Sequence, residues 1–315
     1  MSELLPVLEA MLSEADAGRA CALCTVVRAS GSTPQCPGAA MLLRSDFTTL
    51  GTLGGGCVEA EVKRRAFDLL RAGGSALLDF DLDHDYGWDD GLLCGGSMTI
   101  GVTTVAERAD LSPFRQAVER LRRREAASFP LTFEREGERR QYRVHLEVPP
   151  TLLIAGAGHV GQAVARLAVD LDFHVVVIDD RADCASRERF GAAVELIVGD
   201  IAQTLRGYPI DDGCYVVIVT RGHRHDQAAL EAVIRGPARY IGMIGSRRKV
   251  STMFGELVAA GVPRELVERV HSPIGLPIRA ITVAEIAVSI MAELVQVRRQ
   301  RTPKLVEETM EERKG

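Results

Sequence analysis

The chain has 315 residues, 46% of them hydrophobic and 26% charged, with a formal net charge of −5. That length and apolar mass suit two globular domains with substantial cores, on a prior of roughly 150 residues each. The acidic balance excludes a general nucleic-acid binder, which needs a basic face, and no apolar run approaches the roughly 18 residues of a membrane span.

The first stretch, MSELLPVLEAMLSEADAG, carries acids and no basic segment, so it reads as an amphipathic helix and not a signal peptide. Leu4, Leu8, Met11 and Leu12 form its apolar face, and it should end near Gly18. Seven scattered cysteines make no disulfide framework, and the chain reads as cytoplasmic. Cys21 to Val27 predicts a buried strand, in which Cys21 and Cys24 point to opposite faces as core thiols. A polar turn, Ser30 to Pro34, and Pro37-Gly38 then lead into a strand at 40–43.

Leu53-Gly54-Gly55-Gly56-Cys57-Val58-Glu59 opens a helical pattern carried by Val58, Val62, Ala66, Leu69 and Leu70. Three glycines before a helix leave the backbone able to form an anion-binding nest. A thiol in the first helical turn has its thiolate favoured by the dipole and by N–H donors, which suits a soft ligand; Glu59 opposes this. The alternative is tight packing around an inert cysteine. The acidic run 79–90, with His84 and Trp88, reads as a solvated loop over a site, although alternating acids also suit a hard cation. Cys94-Gly95-Gly96 places a second cysteine beside glycines before a strand through Met98, Ile100 and Val102. A helix at 111–124 ends in Arg120, Arg122, Arg123 and Arg124, complementing its dipole. The segment 129–148 reads as a charged, peripheral hairpin around Glu136-Gly137-Glu138, and Pro149-Pro150 as a linker.

From Thr151 the order is strand, glycine turn, helix, strand, acid: Leu152–Ile154, then Gly156-Ala157-Gly158-His159-Val160-Gly161, then Val175–Ile178 ending in Asp179 and Asp180. Gly156 suits the tight turn, Gly158 lets backbone N–H groups approach a pyrophosphate, and Gly161 allows close helix–strand packing. The helix N-terminus adds partial positive charge, and an acid after the second strand can accept from ribose hydroxyls. A Rossmann-like unit with an empty crevice would show the same pattern. Further strands at 194–198, 214–219 and 240–244 alternate with helices. Arg221, His223 and Asp226 follow one of them; Ser246, Arg247 and Lys249 follow the next, Ser246 as an N-cap and the two cations as phosphate partners. Ligands of open parallel sheets sit beyond the carboxyl ends of the strands, so these residues are expected to share the crevice of Gly158. Thr282 and Glu285 predict a capping box for a last helix with Ile286, Ile290, Leu294 and Val297 buried. The fold class is α/β: a mixed domain at 1–148, a Rossmann-like parallel-sheet domain at 149–301 and a polar tail at 302–315.

Taken in order, GSTP (Gly31–Pro34), PGAAM (Pro37–Met41), GGGCVE (Gly54–Glu59), LLCGG (Leu92–Gly96), GAGHVG (Gly156–Gly161), DDR (Asp179–Arg181), RERF (Arg187–Phe190), TRGHRHD (Thr220–Asp226), GMIGSRRK (Gly242–Lys249) and HSPIGL (His271–Leu276) resemble the XdhC/CoxI family over nearly the whole chain. The resemblance implies an accessory protein that binds molybdenum cofactor, supports exchange of an oxo ligand for sulfido, and inserts the cofactor into xanthine dehydrogenase-type apo-enzymes. It implies a cysteine desulfurase as a further partner, and a homodimer. Cys57 and Cys94 would be the molybdenum-side thiolates, a soft match to a sulfur-rich centre. Gly54, Gly55, Gly56, Glu59 and Gly95 would lie around the same ligand; Gly156, Gly158, His159, Gly161, Asp179, Arg221, His223, Asp226, Ser246, Arg247 and Lys249 would hold its phosphate end, or NAD or another nucleotide. Two departures stand out. Gln35 and Cys36 occupy a turn where the family often carries arginine, and Pro277-Ile278-Arg279 replaces Asp-Ile-Gly. Two other readings use the same residues: an NAD-dependent oxidoreductase with His223 as acid/base, and a redox sensor using Cys57 and Cys94.

Overall fold

The computed structural model describes residues 4–82, 95–105, 110–135, 137–300 and 305–309. The chain forms two compact units, Met1–Val148 with Pro303–Gly315, and Pro149–Thr302.

The first unit runs α1 (Leu4–Asp16), β1 (Cys21–Ser30), β2 (Ala40–Arg44), β3 (Thr49–Gly51), α2 (Gly56–Ala72), β4 (Ser75–Asp81), β5 (Ser97–Val105), α3 (Ser112–Arg122), β6 (Ala127–Arg135) and β7 (Glu138–Leu146). Its main sheet is antiparallel in the order β3-β2-β1-β5-β4. β1 lies at the centre and is buried on both sides: Cys21, Leu23 and Val27 join one core, while Ala22, Cys24 and Val26 join the other, under α2. Burial pushes the Cys21 thiol up to about 11 and the Cys24 thiol up to about 12, so neither offers a thiolate at neutral pH.

Three sequence expectations change here. The 129–148 hairpin is not peripheral, because Phe129, Phe133 and Val144 are fully buried in the core with α1 and α3. Its charges occupy the alternate positions, and strand alternation hides an apolar face behind them. Phe133 packs over the backbone of Gly101 in β5, where any Cβ would run into its ring. Part of the acidic run is also a strand and not a loop. Leu78 and Phe80 point into the core, and Asp79 and Asp81 point out. Third, within the expected polar tail, β13 (Val306–Thr309) pairs antiparallel with β7 and completes a small sheet, β13-β7-β6. Glu308 draws Arg28 and Arg140 into ion pairs there, so its polar residues are partnered.

The second unit runs β8 (Thr151–Ala155), α4 (His159–Asp170), β9 (His174–Asp179), α5 (Arg187–Phe190), β10 (Glu195–Val198), α6 (Ile201–Gly207), β11 (Cys214–Ile218), α7 (His223–Val233), β12 (Tyr240–Met243), α8 (Arg247–Ala259), α9 (Arg264–Glu268) and α10 (Val283–Arg299). All five strands are parallel, in the order β10-β9-β8-β11-β12. The unbroken Val/Ile runs follow from this topology, since helices cover both faces. Residues of α4 and α10 pack on one face, and those of α6, α7, α8 and α9 on the other. Strand order reverses between β8 and β11, which opens a crevice beyond their carboxyl ends. Thr282 and Glu285 form the capping box of α10. Among the described residues, no helix is long and apolar enough to cross a membrane.

Candidate functional site

Each unit carries one glycine-rich loop that enters a helix, and each loop is organised by a carboxylate of its own chain. In the first unit, Gly54, Gly55 and Gly56 all have positive φ (109°, 74° and 65°), which only glycine adopts in series without strain. Gly54 faces the turn 31–36, where a Cβ would lie 2.6 Å from Pro34 Cβ; Gly55 and Gly56 face open space. The same turn meets the other glycine pair. A Cβ on Gly31 would lie 3.0 Å from Gly96 Cα, and one on Gly96 would run into the Ser32 carbonyl. Backbone contact thus seats the 31–36 turn against both glycine segments, and Gly95, exposed at φ 53°, borders open space as well. Cys57 is half-buried in the first turn of α2, after an N-cap (Gly55) that supplies no side-chain cap. Cys94 lies outside the described residues, as do His84 and Trp88. Cys36 is exposed in the same 31–36 turn.

Glu59 is engaged by its own loop. Its Oε2 accepts from the Thr52 hydroxyl (2.8 Å), Leu53 N–H (3.1 Å) and Gly55 N–H (3.2 Å), and Oε1 pairs with Lys63 at 3.2 Å. Burial alone would raise its pKa, but these donors outweigh burial and hold the carboxyl below its ordinary value. The expected nest is therefore filled at Leu53 and Gly55 by an internal anion. The reason is local: a loop with this many inward N–H groups needs an acceptor, and Glu59 is one turn into the helix.

In the second unit, Gly156 has φ 117°, and a Cβ there would lie 2.5 Å from the Val219 carbonyl of the adjoining loop. A Cβ on Gly161 would run into the Gly156 carbonyl, so this glycine sets helix–strand packing. Gly158 has ordinary φ (−69°) and borders open space. His159 is exposed at the first position of α4, and His223 at the first position of α7.

Asp179 and Asp226, both expected among the ligand contacts, turn inward. Asp179 Oδ2 accepts from Ala157 N–H at 2.7 Å, and both its oxygens receive the Arg181 guanidinium at 2.8 and 2.9 Å. Although burial opposes ionisation, the Arg181 and Ala157 donors bring its pKa down to about 2. No oxygen of this carboxylate is left to face a ribose. Asp226 Oδ1 accepts from the Thr220 hydroxyl (2.6 Å) and N–H (3.2 Å); burial outweighs those bonds and the nearby His223 and His225, and raises its pKa. It braces the β11–α7 loop from behind. The exposed acid is Asp180, whose Oδ2 lies 2.7 Å from Arg221 Nη2. Spacing along the chain marks an acid after β9 without choosing between Asp179 and Asp180, and gives no sign of this contact. Ser246, Arg247 and Lys249 are exposed beyond β12, at the same end of the sheet but two strands from β8; Ser246 is an N-cap by position without a side-chain bond. Arg279 has φ 61°, a backbone conformation that favours glycine.

Among the described residues, no group of three or more His, Cys, Asp or Glu side chains is placed to hold a metal ion.

Residues 152–294 match the XdhC Rossmann domain, and residues 15–81 match the XdhC and CoxI family. The chain is 25% identical to a probable xanthine dehydrogenase subunit of Bacillus subtilis (strain 168), over 95% of this chain and 99% of that protein. It is 24% identical to the molybdenum cofactor insertion chaperone PaoD of Escherichia coli (strain K12), over 92% of this chain and 86% of that one. The uncharacterized protein YqeB of Escherichia coli (strain K12) is 28% identical over 88% of this chain, which spans only 43% of that relative. A crystal structure described as a xanthine dehydrogenase from Bacillus halodurans superposes with a TM-score of 0.79 at 23% identity, covering 94% of this chain and 96% of that one, which shows a shared fold.

Proposed function

The chain belongs to the XdhC and CoxI family, and from that membership we propose that it is an accessory chaperone in the maturation of xanthine dehydrogenase-type molybdenum hydroxylases. In this reading molybdenum cofactor is cargo. The protein holds it, keeps the metal side accessible for sulfuration by a cysteine desulfurase, and passes it to the apo-enzyme. It works in the cytoplasm, as a homodimer.

The observation that carries the reading is the setting of Cys57. The thiol sits in the first turn of a helix, where the dipole and the N–H groups of that turn favour thiolate. It is preceded by Gly55 and Gly56, whose Cα positions border open space, so a bulky ligand can approach the backbone. A thiolate is a soft ligand for molybdenum, and Cys94, immediately before Gly95, is its proposed counterpart. Because Glu59 already occupies the Leu53 and Gly55 donors, this end suits the metal side of the cargo better than a phosphate. The crevice of the second unit, with Gly158 as its open approach and His159, Arg221 and His223 around it, suits an anionic ligand of its own, a phosphate or nucleotide.

The test is retention and transfer. Wild type, Cys57→Ala and Cys94→Ala are each loaded with released molybdenum cofactor, desalted, and assayed for bound pterin by fluorescence and for activation of apo-xanthine dehydrogenase. Cys57→Ala should retain at least about tenfold less cofactor, the loss of one metal–thiolate contact. If both variants retain and transfer as much as wild type, the reading is wrong.

A further inference from the structure

α10 buries one stripe, Ala287, Ile290, Met291 and Leu294, and carries a second apolar stripe outside it. Ala284, Val288, Ala292, Val295 and Arg299 follow one another at spacings of four, four, three and four, so they share one side of the helix. Ala284, Val288 and Arg299 are exposed, and Ala292 and Val295 are half-buried. Of the eight large apolar side chains left exposed among the described residues, four (Ile278, Ile281, Val283 and Val288) lie on or just before the first two turns of α10. Ile281 is 87% exposed and Val288 51%. A fifth, Leu171, stands at the other end of the helix, where Arg298 Nη1 donates to its carbonyl at 2.9 Å. Exposed apolar side chains gathered in this way mark an interaction surface.

The charges beside the stripe point to its occupant. Glu285 flanks the N-terminal end and Arg299 closes the C-terminal end. They are fourteen positions apart, about 21 Å along a helix, too far to pair within one chain. Glu285 holds the Ile281 and Thr282 N–H groups through Oε2. Arg298 is held by Leu171 and lies over the Phe173 ring, whereas Arg299 makes no ion pair among the described residues. Midway between Glu285 and Arg299 is Ala292, small enough for two helices to approach closely. The stripe is thus complementary to itself turned end for end.

We propose that this face of α10 is where two copies of the chain meet, packed antiparallel about a two-fold axis at Ala292. The inference rests on the homodimer reading and names its surface. Val288 of each copy lies beside Val295 of the other, and Glu285 of each stands opposite Arg299 of the other. Leu171 offers an apolar counterpart to Ile278 and Ile281. Every contact occurs twice, as a two-fold interface requires. One helix and its flanking loops make an interface at the small end of the stable range, so dissociation in the micromolar range is expected.

Sedimentation velocity of the full-length protein, from about 1 to 100 µM, measures the association. Val288→Glu sets a carboxylate in the apolar centre of both copies and should weaken it at least about tenfold. Arg299→Glu and Glu285→Lys each place like charges face to face and should weaken it severalfold. The double variant sets opposite charges together again and should return to within about twofold of wild type, an outcome that loss of folding does not produce. Ala292→Cys, at the axis, meets its own copy, and a short bis-maleimide should cross-link it well above the wild-type background. A wild type that stays monomeric throughout overturns this inference together with the homodimer reading. A dimer that Val288→Glu leaves intact and Ala292→Cys does not cross-link overturns this inference alone. Variants that remain dimeric yet fail to activate apo-xanthine dehydrogenase also overturn it, and give the face to the apo-enzyme. Cofactor retention by Cys57 is measured separately from all of these.

Discussion

The two glycine loops look alike in sequence and differ in what their carboxylates do. Glu59 reaches back from the first turns of α2 and ties together one loop, with Lys63 as its cationic partner. Asp179 comes from a different strand and joins three things: the glycine turn through Ala157, the end of β9, and Arg181. It is also the more deeply buried, 3% exposed against 14% for Glu59. One carboxylate shapes a loop locally; the other holds a tertiary junction. The lesson is that an acid beside a glycine-rich turn has two possible employments, binding a ligand or replacing one, and sequence spacing does not separate them.

The largest consequence is expected for Asp179→Ala. It leaves Ala157 N–H without its acceptor and Arg181 without its partner, and breaking a buried pair from one side costs about 3 kcal/mol. The sign with pH follows from the depressed pKa. The carboxylate's contribution is complete above its unfolded value of 3.8 and is lost as pH falls toward about 2. Wild type and variant should therefore differ most at neutral pH and converge in acid. Urea denaturation at pH 7 and pH 2.5, followed by circular dichroism, measures both; a gap that widens in acid would contradict the assignment.

Glu59→Ala should cost less, about 1–2 kcal/mol, because the freed donors lie in a partly hydrated loop. Its effect should appear locally instead. With Leu53 and Gly55 N–H groups released, the loop around Cys57 loosens, and alkylation of that thiol by iodoacetamide should accelerate severalfold. Glu59→Gln keeps an acceptor oxygen and should restore most of the wild-type rate. If Glu59→Ala destabilises the protein more than Asp179→Ala does, the ranking of local against tertiary carboxylate is reversed.

How much of the molecule is legible in its sequence follows from the same contrast. The five parallel strands announce themselves as apolar runs bounded by turns, and the alternation with helices implies their topology. The capping box of α10 is readable because its chemistry is confined to four residues. β4 and the β6–β7 hairpin hide from a reading that weighs composition ahead of period: Leu78 and Phe80, or Phe129, Leu131 and Phe133, alternate with polar residues that dominate the count. Asp179, Asp226 and Glu59 stand at strand or helix ends beside the loops that spacing singles out, yet each accepts from donors of its own chain. Which way a carboxylate turns depends on donors from other strands, such as Ala157 for Asp179, and those meet it only in the folded chain.

The smallest effects isolate the open glycines themselves. Gly55 and Gly158 both border empty space, so an added methyl group clashes with nothing at either position. Their backbones differ: Gly55 has φ 74°, in the left-handed region, and Gly158 has φ −69°, which alanine adopts freely. Gly55→Ala should therefore cost about 1 kcal/mol through backbone strain alone. Gly158→Ala should be neutral within about 0.5 kcal/mol, or slightly stabilising, because the unfolded chain loses freedom that the folded one never used. A stability-neutral Gly158→Ala is informative for binding, since its methyl group would project into the space through which a phosphate reaches the N-terminus of α4. The expectation is an unchanged melting curve together with weaker ADP binding. An unchanged melting curve with unchanged ADP binding would move the ligand away from this turn, while the fold argument built on Gly156 and Gly161 would be untouched.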